Sequence, residues 1–296
     1  MVRMADRLAF TKGHGTENDF VLVPDLDGAL GLSATRAAWL ADRRAGLGGD
    51  GVIRVVPAEL AGEAAVRDQA EATWFMDYRN ADGSAAEMCG NGTRVFAEFL
   101  RREGLETADE FVIATRAGAK VVRRDGDTWA VGLGPWRLAD PARAEREGFD
   151  ALVHVGGDDG DPFSALSVDL GNPHTVVALP EDVDLAGLDL GRAPVVRPQP
   201  PHGTNVELVR PVGPGHVVMR VHERGVGETR SCGTGACAVA IATSFWAGSL
   251  DTGSTWTVDV PGGRLTVRLT DGHGVELAGP AVLVADGTVP TALLPD

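Results

Sequence analysis

The chain writes one short design twice. Cys89-Gly90-Asn91-Gly92 leads into Thr93–Arg102, and Cys232-Gly233-Thr234-Gly235 leads into Ala236–Ala247; both read C-G-x-G followed by an apolar helical stretch. Nine residues before each cysteine a polar residue opens a Gly-containing loop, Asn80 in NADGSAAEMC and Glu223 in ERGVGETRSC. The halves also begin alike. Asn18 in ENDFVLVPD precedes a strand and then a helix, as Asn172 in GNPHTVVALP precedes a strand and then an expected helix over Glu181–Leu188. Self-similarity at a period of half the 296 residues implies a duplicated unit and hence two related lobes. The crossover is expected within Trp129–Pro141, giving an N-terminal lobe of residues 1–128 and a C-terminal lobe of 129–281. The last strand, Val282–Ala285, is expected to return residues 282–296 to the first lobe.

Short strands dominate the reading. Leu8–Thr11, Phe20–Val23, Val52–Val56, Trp74–Tyr78, Phe111–Ala114, Lys120–Arg123 and Trp129–Leu133 carry β-branched, aromatic or alternating patterns. Ala165–Leu170, Thr175–Leu179, Asn205–Val209, Val217–His222, Trp256–Val260 and Leu265–Leu269 do the same in the second half. Helices are few: Ser33 can cap Ala34–Asp42, and two longer ones start at Gly90–Asn91 and Gly233–Thr234. The predicted class is α+β. The 39 glycines fit a β-rich chain in which backbone lines the functional sites.

Composition narrows the partners. Lys+Arg 27 against Asp+Glu 42 leaves a net charge of −15, which argues against nucleic acid and anionic membrane surfaces. The uncharged run Ser231–Leu250 is rich in Gly, Ser and Thr, and its continuous apolar part, Ala236–Ala242, is too short to span a bilayer. The opening MVRMADRLAFTKGHG lacks the apolar core of a secretory signal, so a soluble, cytoplasmic protein is expected.

Three cysteines rule out a dense disulfide framework, and with no C-x-x-C there is no local support for a metal site. Cys237, inside Ala-Cys-Ala-Val-Ala-Ile, reads as core packing. Cys89 and Cys232 stand where helix-initial N–H groups and the helix dipole stabilise a thiolate, and where bare glycine backbone can hold a carboxylate. Two such motifs facing one substrate suit inversion at an amino-acid α-carbon: one sulfur removes a proton, and the other returns one to the opposite face. The anion sites stabilise the charge that develops on the carboxylate. Pyridoxal phosphate needs a lysine, and Lys12 and Lys120 sit in no phosphate-cradling context, so a cofactor-free, metal-free mechanism is the economical reading. A thiol-based redox protein and a structural protein with buried cysteines remain open; the former predicts a reversible disulfide, the latter unreactive thiols.

At these residues the sequence resembles the diaminopimelate epimerase family. The resemblance runs through KGHGTENDFVLV, DRRAGLGGDGV, MDYRNADGSAAEMCGNGTRVFA, VDLGNPH, GTNVELV and VHERGVGETRSCGTGAC, in order. It implies two pseudo-symmetric lobes, each a mostly antiparallel sheet around a central helix, with the active site between them, and a homodimer. It implies epimerisation of L,L-2,6-diaminopimelate to the meso form, on the route to lysine and peptidoglycan precursors. Cys89 and Cys232 become the catalytic pair, Cys232 taking the proton and Cys89 donating one in the L,L-to-meso direction. Gly90, Asn91, Gly233 and Thr234 would bind the reacting carboxylate, and Asn18 the reacting end. Asn80, Asn172, Asn205, Glu223 and Arg224 would hold the distal amino-acid end, while His174 and Glu223 would tune the thiols. A proline-type racemase shares this logic, but it has less use for the distal set. Gly51 departs from the pattern, standing where many members carry a substrate-binding glutamine. His14 is read as structural.

Overall fold

The computed structural model describes residues 7–156 and 160–295. The chain divides into two compact units, with boundaries between Val131 and Gly132 and between Ala278 and Gly279.

The first unit runs β1 (Arg7–Gly15), β2 (Asn18–Pro24), α1 (Ala34–Ala41), β3 (Gly51–Pro57), β4 (Trp74–Asn80), α2 (Gly90–Arg102), β5 (Glu110–Ala114), β6 (Lys120–Asp125) and β7 (Thr128–Pro135), whose second half enters the next unit. Pairing along the chain alternates in type: β1–β2 antiparallel, β2–β3 parallel, β3–β4 antiparallel, β4–β5 parallel, then β5–β6 and β6–β7 antiparallel. A two-residue turn joins β1 to β2, with Thr16 and Glu17 both at positive φ (51° and 62°). That is the hairpin geometry glycine and asparagine usually supply, adopted here by side chains that rarely tolerate it. FVLV, and GVIRVV apart from the ion-paired Arg54, read as apolar stretches because both faces of β2 and β3 are covered. Val21, Val23 and Val52 pack with Ala37 and Leu40 of α1, whereas Phe20 and Ile53 lie against Gly92 at the start of α2. Ser33 caps α1, accepting from the Arg36 N–H at 3.2 Å.

The second unit adds β8 (Arg137–Leu138), α3 (Pro141–Glu147), β9 (Ala151–His154), β10 (Phe163–Asp169), β11 (Pro173–Ala178), β12 (Val195–Arg197), β13 (Asn205–Gly213), β14 (His216–Glu223), β15 (Gly227–Thr229), α4 (Gly233–Trp246), β16 (Thr255–Val260), β17 (Gly263–Thr270) and β18 (Gly274–Gly279). Its pairings repeat the first unit's: β10–β11 antiparallel, β11–β13 parallel, β13–β14 antiparallel, β14–β16 parallel, β16–β17 and β17–β18 antiparallel. The last strand is β19 (Val282–Pro290), antiparallel to β1, and a 3₁₀ turn, Thr291–Leu293, follows it. The fold is thus α+β, one mostly antiparallel scheme used twice.

Each unit is built around one helix. α2 contacts β1 through β4, β6 and β19, and it is buried from Gly90 through Ala97. α4 contacts β10, β11, β13, β14, β16 and β17 and is buried over most of its length. Its ACAVAIA run is apolar all round, as a helix enclosed by a sheet must be.

The Glu181–Leu188 helix does not form. Only a single 3₁₀ turn, Leu185–Gly187, stands there. The Arg220 guanidinium from β14 donates to the carbonyls of Leu185, Ala186 and Leu188 at 2.7, 3.1 and 2.9 Å, which ties this segment down in its non-helical course. Asp184 and Asp189 close local turns onto the N–H groups of Ala186 and Gly191. Leu185 and Leu190 are still buried, in the cluster with Val177 and Leu208. α3, which is not among the expected helices, has ordinary signals: Asp140 caps it, Pro141 opens it, and Gly148 ends it at φ 80°.

Candidate active site

Both C-G-x-G motifs do the same local job. Cys89 (φ −137°, ψ 120°) and Cys232 (φ −122°, ψ 117°) are extended residues capping α2 and α4. The Gly92 N–H donates to the Cys89 sulfur at 3.5 Å, and the Gly235 N–H to the Cys232 sulfur at 3.4 Å. Each carbonyl begins its helix, accepting from Thr93 at 2.8 Å and Ala236 at 3.0 Å. A sulfur thus sits where Ser or Asp usually caps, within the field of the helix N-terminus. The glycines permit close packing there. A Cβ on Gly235 would stand 2.7 Å from Glu207 Oε1, and one on Gly92 would stand 3.0 Å from the Met76 methyl.

In the first unit the cap is surrounded by amides. Cys89 donates to Asn18 Oδ1 at 3.6 Å, and Asn91 Nδ2 reaches the same oxygen at 3.2 Å. Fully buried Arg94 donates to Asn91 Oδ1 at 2.8 Å. Asn80, at the end of β4, is exposed; its Nδ2 donates to Ser84 Oγ at 3.0 Å, so it belongs to the NADGS turn and not to the cysteine's immediate shell. Gly51 faces Asn80 across β3 and β4, and a Cβ on it would lie 2.5 Å from the Tyr78 ring. The space a larger residue 51 needs is therefore occupied by Tyr78. His14 accepts from the Glu17 N–H at 3.3 Å and helps hold the β1–β2 turn.

The second unit gathers more ionisable groups. Asn172 Nδ2 donates to Thr234 Oγ1 at 3.2 Å, and that hydroxyl lies 3.6 Å from the Cys232 sulfur. His174 Nδ1 lies 2.7 Å from Glu207 Oε1, both side chains wholly buried. Asn205 Oδ1 accepts from the Arg224 N–H at 2.9 Å, and the Arg224 guanidinium donates to the His202 carbonyl at 2.7 Å. Glu223 accepts from the Thr229 hydroxyl. Burial pushes the Cys232 thiol well up, and the Glu223 and Glu207 carboxylates push it further, against hydrogen bonds from Thr234 and the Gly235 N–H. Cys237 is fully buried within α4, as its apolar setting indicates.

Glu207 joins the site as a residue the motifs do not point to. His174, expected to work with Glu223, has Glu207 as its hydrogen-bond partner. The available sequence signal is a carboxylate in the otherwise apolar strand VELV, two residues from Asn205 and so on the same face. Among the described residues, no group of three His, Cys, Asp or Glu is placed to hold a metal ion. No described helix is long and apolar enough to cross a membrane.

A family model described as diaminopimelate epimerase matches residues 10–138 and 166–284. The diaminopimelate epimerase of Streptomyces coelicolor is 50% identical, over 98% of this chain and 98% of its own length. That of Thermobifida fusca is 48% identical, over 95% and 98%. Among solved structures, a Bacillus anthracis phenazine biosynthesis protein of the PhzF family superposes with a TM-score of 0.67 at 17% identity, covering 96% of this chain and 99% of that one. A hydroxyproline epimerase from Agrobacterium vitis gives 0.64 at 14% identity, covering 97% and 94%. At those identities the likeness is one of fold.

Proposed function

The chain belongs to the diaminopimelate epimerase family of isomerases, and we propose that it inverts one α-carbon of L,L-2,6-diaminopimelate to give the meso form, using Cys89 and Cys232 as its two acid/base groups. The observation that carries this reading is the duplicated cap: two sulfurs, each accepting the third N–H of a buried central helix, in units of one strand scheme.

In the L,L-to-meso direction the Cys232 thiolate takes the α-hydrogen as a proton, and the carbon's electron pair delocalises into the carboxylate. The Cys89 thiol delivers its proton to the opposite face. Cys232 is left as a thiol and Cys89 as a thiolate, so the reverse reaction exchanges the roles. Gly90, Asn91, Gly233 and Thr234 occupy the first turns of α2 and α4, whose N–H groups point out of the helix ends toward a carboxylate. Extra negative charge arriving on that carboxylate is what such donors stabilise. Asn18 supports the reacting end. Asn80, Asn172, Asn205, Glu223 and Arg224 receive the distal end, where Glu223 suits an ammonium and Arg224 a carboxylate.

The raised Cys232 thiol fits a base for carbon acids, because a more basic thiolate takes a carbon-bound proton more readily. An ammonium group arriving at Glu223 offsets one of the charges that hold the thiol protonated. The same reading makes the enzyme a cytoplasmic homodimer that needs neither metal nor organic cofactor.

The test is turnover of L,L-diaminopimelate in deuterated water by the purified protein. Deuterium should appear at one α-carbon, and both Cys89→Ser and Cys232→Ser should lose epimerisation. Full turnover in either variant would overturn the two-base assignment.

A further inference from the structure

Which atom of Asn18 faces the Cys89 sulfur is decided at the other end of its amide. Asn18 Nδ2 lies 2.7 Å from Asp50 Oδ2. An ionised carboxylate only accepts, so the amide nitrogen must point to Asp50 and the carbonyl oxygen to Cys89. Asn91 gives the same answer from the opposite side. A guanidinium only donates, so the Asn91 atom 2.8 Å from Arg94 is its oxygen, and its Nδ2 is the group that reaches Asn18 Oδ1. A carboxylate at one end and a guanidinium at the other thus polarise two amides in one sense.

Asp50 is itself held in place. Its Oδ1 accepts from Arg43 at 2.8 Å and its Oδ2 from the Asp19 N–H at 3.2 Å. Its own N–H donates to the Asp19 carbonyl at 2.8 Å. Arg43 grips Asp19 through two bonds of 3.0 and 2.6 Å, and Lys12 adds a third at 2.6 Å.

We propose that Asp50 is a positioning residue for the reaction: by accepting the Asn18 amide N–H it turns the Asn18 carbonyl oxygen to Cys89 and reserves that sulfur as the proton-donating thiol. A carbonyl oxygen accepts an S–H hydrogen but offers nothing to a thiolate. The other half-site has the opposite polarity. Thr234 Oγ1 takes the Asn172 N–H on its oxygen, which leaves the hydroxyl hydrogen for the Cys232 sulfur. A donor there supports a thiolate. Neither C-G-x-G motif distinguishes the two cysteines; their amide and hydroxyl partners do. The inference rests on the two-thiol reading for its meaning, although the proton preference of Cys89 can be measured without substrate.

The experiment is a pH titration of Cys89 alkylation by iodoacetamide, followed by peptide mass spectrometry in the substrate-free full chain. The charged groups joined to Cys89 through its amide partners are Arg94 on α2 and Asp50, with Arg43, Asp19 and Lys12 behind it. Glu87 stands two residues before Cys89, and Glu17 beside Asn18 in the chain. Asp50→Asn, which frees the amide to turn, should lower the Cys89 midpoint by about one pH unit, a tenfold gain in thiolate near neutrality. Asp50→Glu should restore it. Removing the Asp50 charge could act through space, so the same change is made on Asn18→Ala; there it should have no further effect. An equal shift with Ala at 18, or no shift with Asn at it, overturns the proposal. Should Asp50→Asn fail to fold, Asp50→Ser carries the same cycle. Because the readout is alkylation, these outcomes are separate from the deuterium test of epimerisation.

Discussion

The Cys232 sulfur is surrounded by influences of both signs, and their balance makes a directional prediction. Burial and the Glu223 and Glu207 carboxylates favour the thiol; the Thr234 hydroxyl and the Gly235 N–H favour the thiolate. Glu223→Gln removes one negative charge and keeps the hydrogen-bonding shape. The pH at which Cys232 becomes reactive should therefore fall in the substrate-free protein, even as epimerisation weakens through loss of a substrate contact. A midpoint that stays put or rises would mean that Glu223 does not act on this sulfur. Gly51 offers a steric counterpart. An added methyl would lie 2.5 Å from the Tyr78 ring and 2.6 Å from the Arg79 carbonyl oxygen, and the carbonyl belongs to the neighbouring strand. Gly51→Ala should cost about 1–3 kcal/mol of stability in denaturant unfolding. On a Tyr78→Ala background, itself destabilised by loss of a buried ring, the same Gly51 change should cost less, by the part owed to the ring.

At the scale of elements, the two central helices carry a role that structure and chemistry share. Cysteine is not a preferred cap, whereas serine is, and both Cys89 and Cys232 accept from the third N–H of their helices. Cys89→Ser and Cys232→Ser should therefore keep or slightly raise the unfolding free energy, within about 0.5–1 kcal/mol, while epimerisation is lost. A large loss of stability would show that sulfur packing, not capping chemistry, fixes these positions. These helices are legible in the sequence because their start signals are local: C-G-x-G and an apolar run suffice. α3 is equally legible through Asp140-Pro141 and Gly148, although the same residues also read as a Gly, Pro and charge-rich crossover. The 181–188 segment is not legible, because the residue that claims its carbonyls, Arg220, arrives from β14. Glu207 and Asp50 are hidden for a similar reason. Their partners, His174 and Asn18, are brought to them by strand pairing and loop closure, which no motif spells out.

At the scale of the whole chain, the strands are legible from β-branched runs, and the repeated motifs point to a duplicated plan. The alternation of parallel and antiparallel pairing, by contrast, follows from connections that only the folded chain displays. The duplication does not extend to buried charge. In the first unit Asp77 is buried with cations around it: Arg116 at 2.6 Å, Arg79 at 3.1 Å and Arg54 at 3.5 Å, with Arg54 also on Asp25 at 2.6 Å. In the second unit Asp150 is 5% exposed. Its Oδ1 accepts from the Ser167 N–H at 2.8 Å, and its Oδ2 has no hydrogen-bond partner among the described residues. Burial consequently raises the Asp150 carboxyl above its ordinary value of 3.8, only partly offset by the Ser167 hydrogen bonds. A carboxyl that binds its proton more tightly folded than unfolded stabilises the fold fully below that ordinary value, and this contribution is lost as pH rises through the folded value. At neutral pH the chain thus carries a destabilising buried charge. Asp150→Asn keeps an acceptor for Ser167 and removes the charge, but sets an amide NH2 at the unpartnered Oδ2 position, a cost that does not change with pH. Its stability relative to wild type should therefore be better at pH 7 than at pH 4, by up to about 1 kcal/mol. That difference should shrink on acidification and level off below the ordinary carboxyl range, where wild type and variant are both neutral at this site. Parallel denaturant titrations of the two proteins across that range read the difference directly. A variant less stable at pH 7 than at pH 4, relative to wild type, would mean that the buried Asp150 charge is compensated in the folded chain and does not oppose folding.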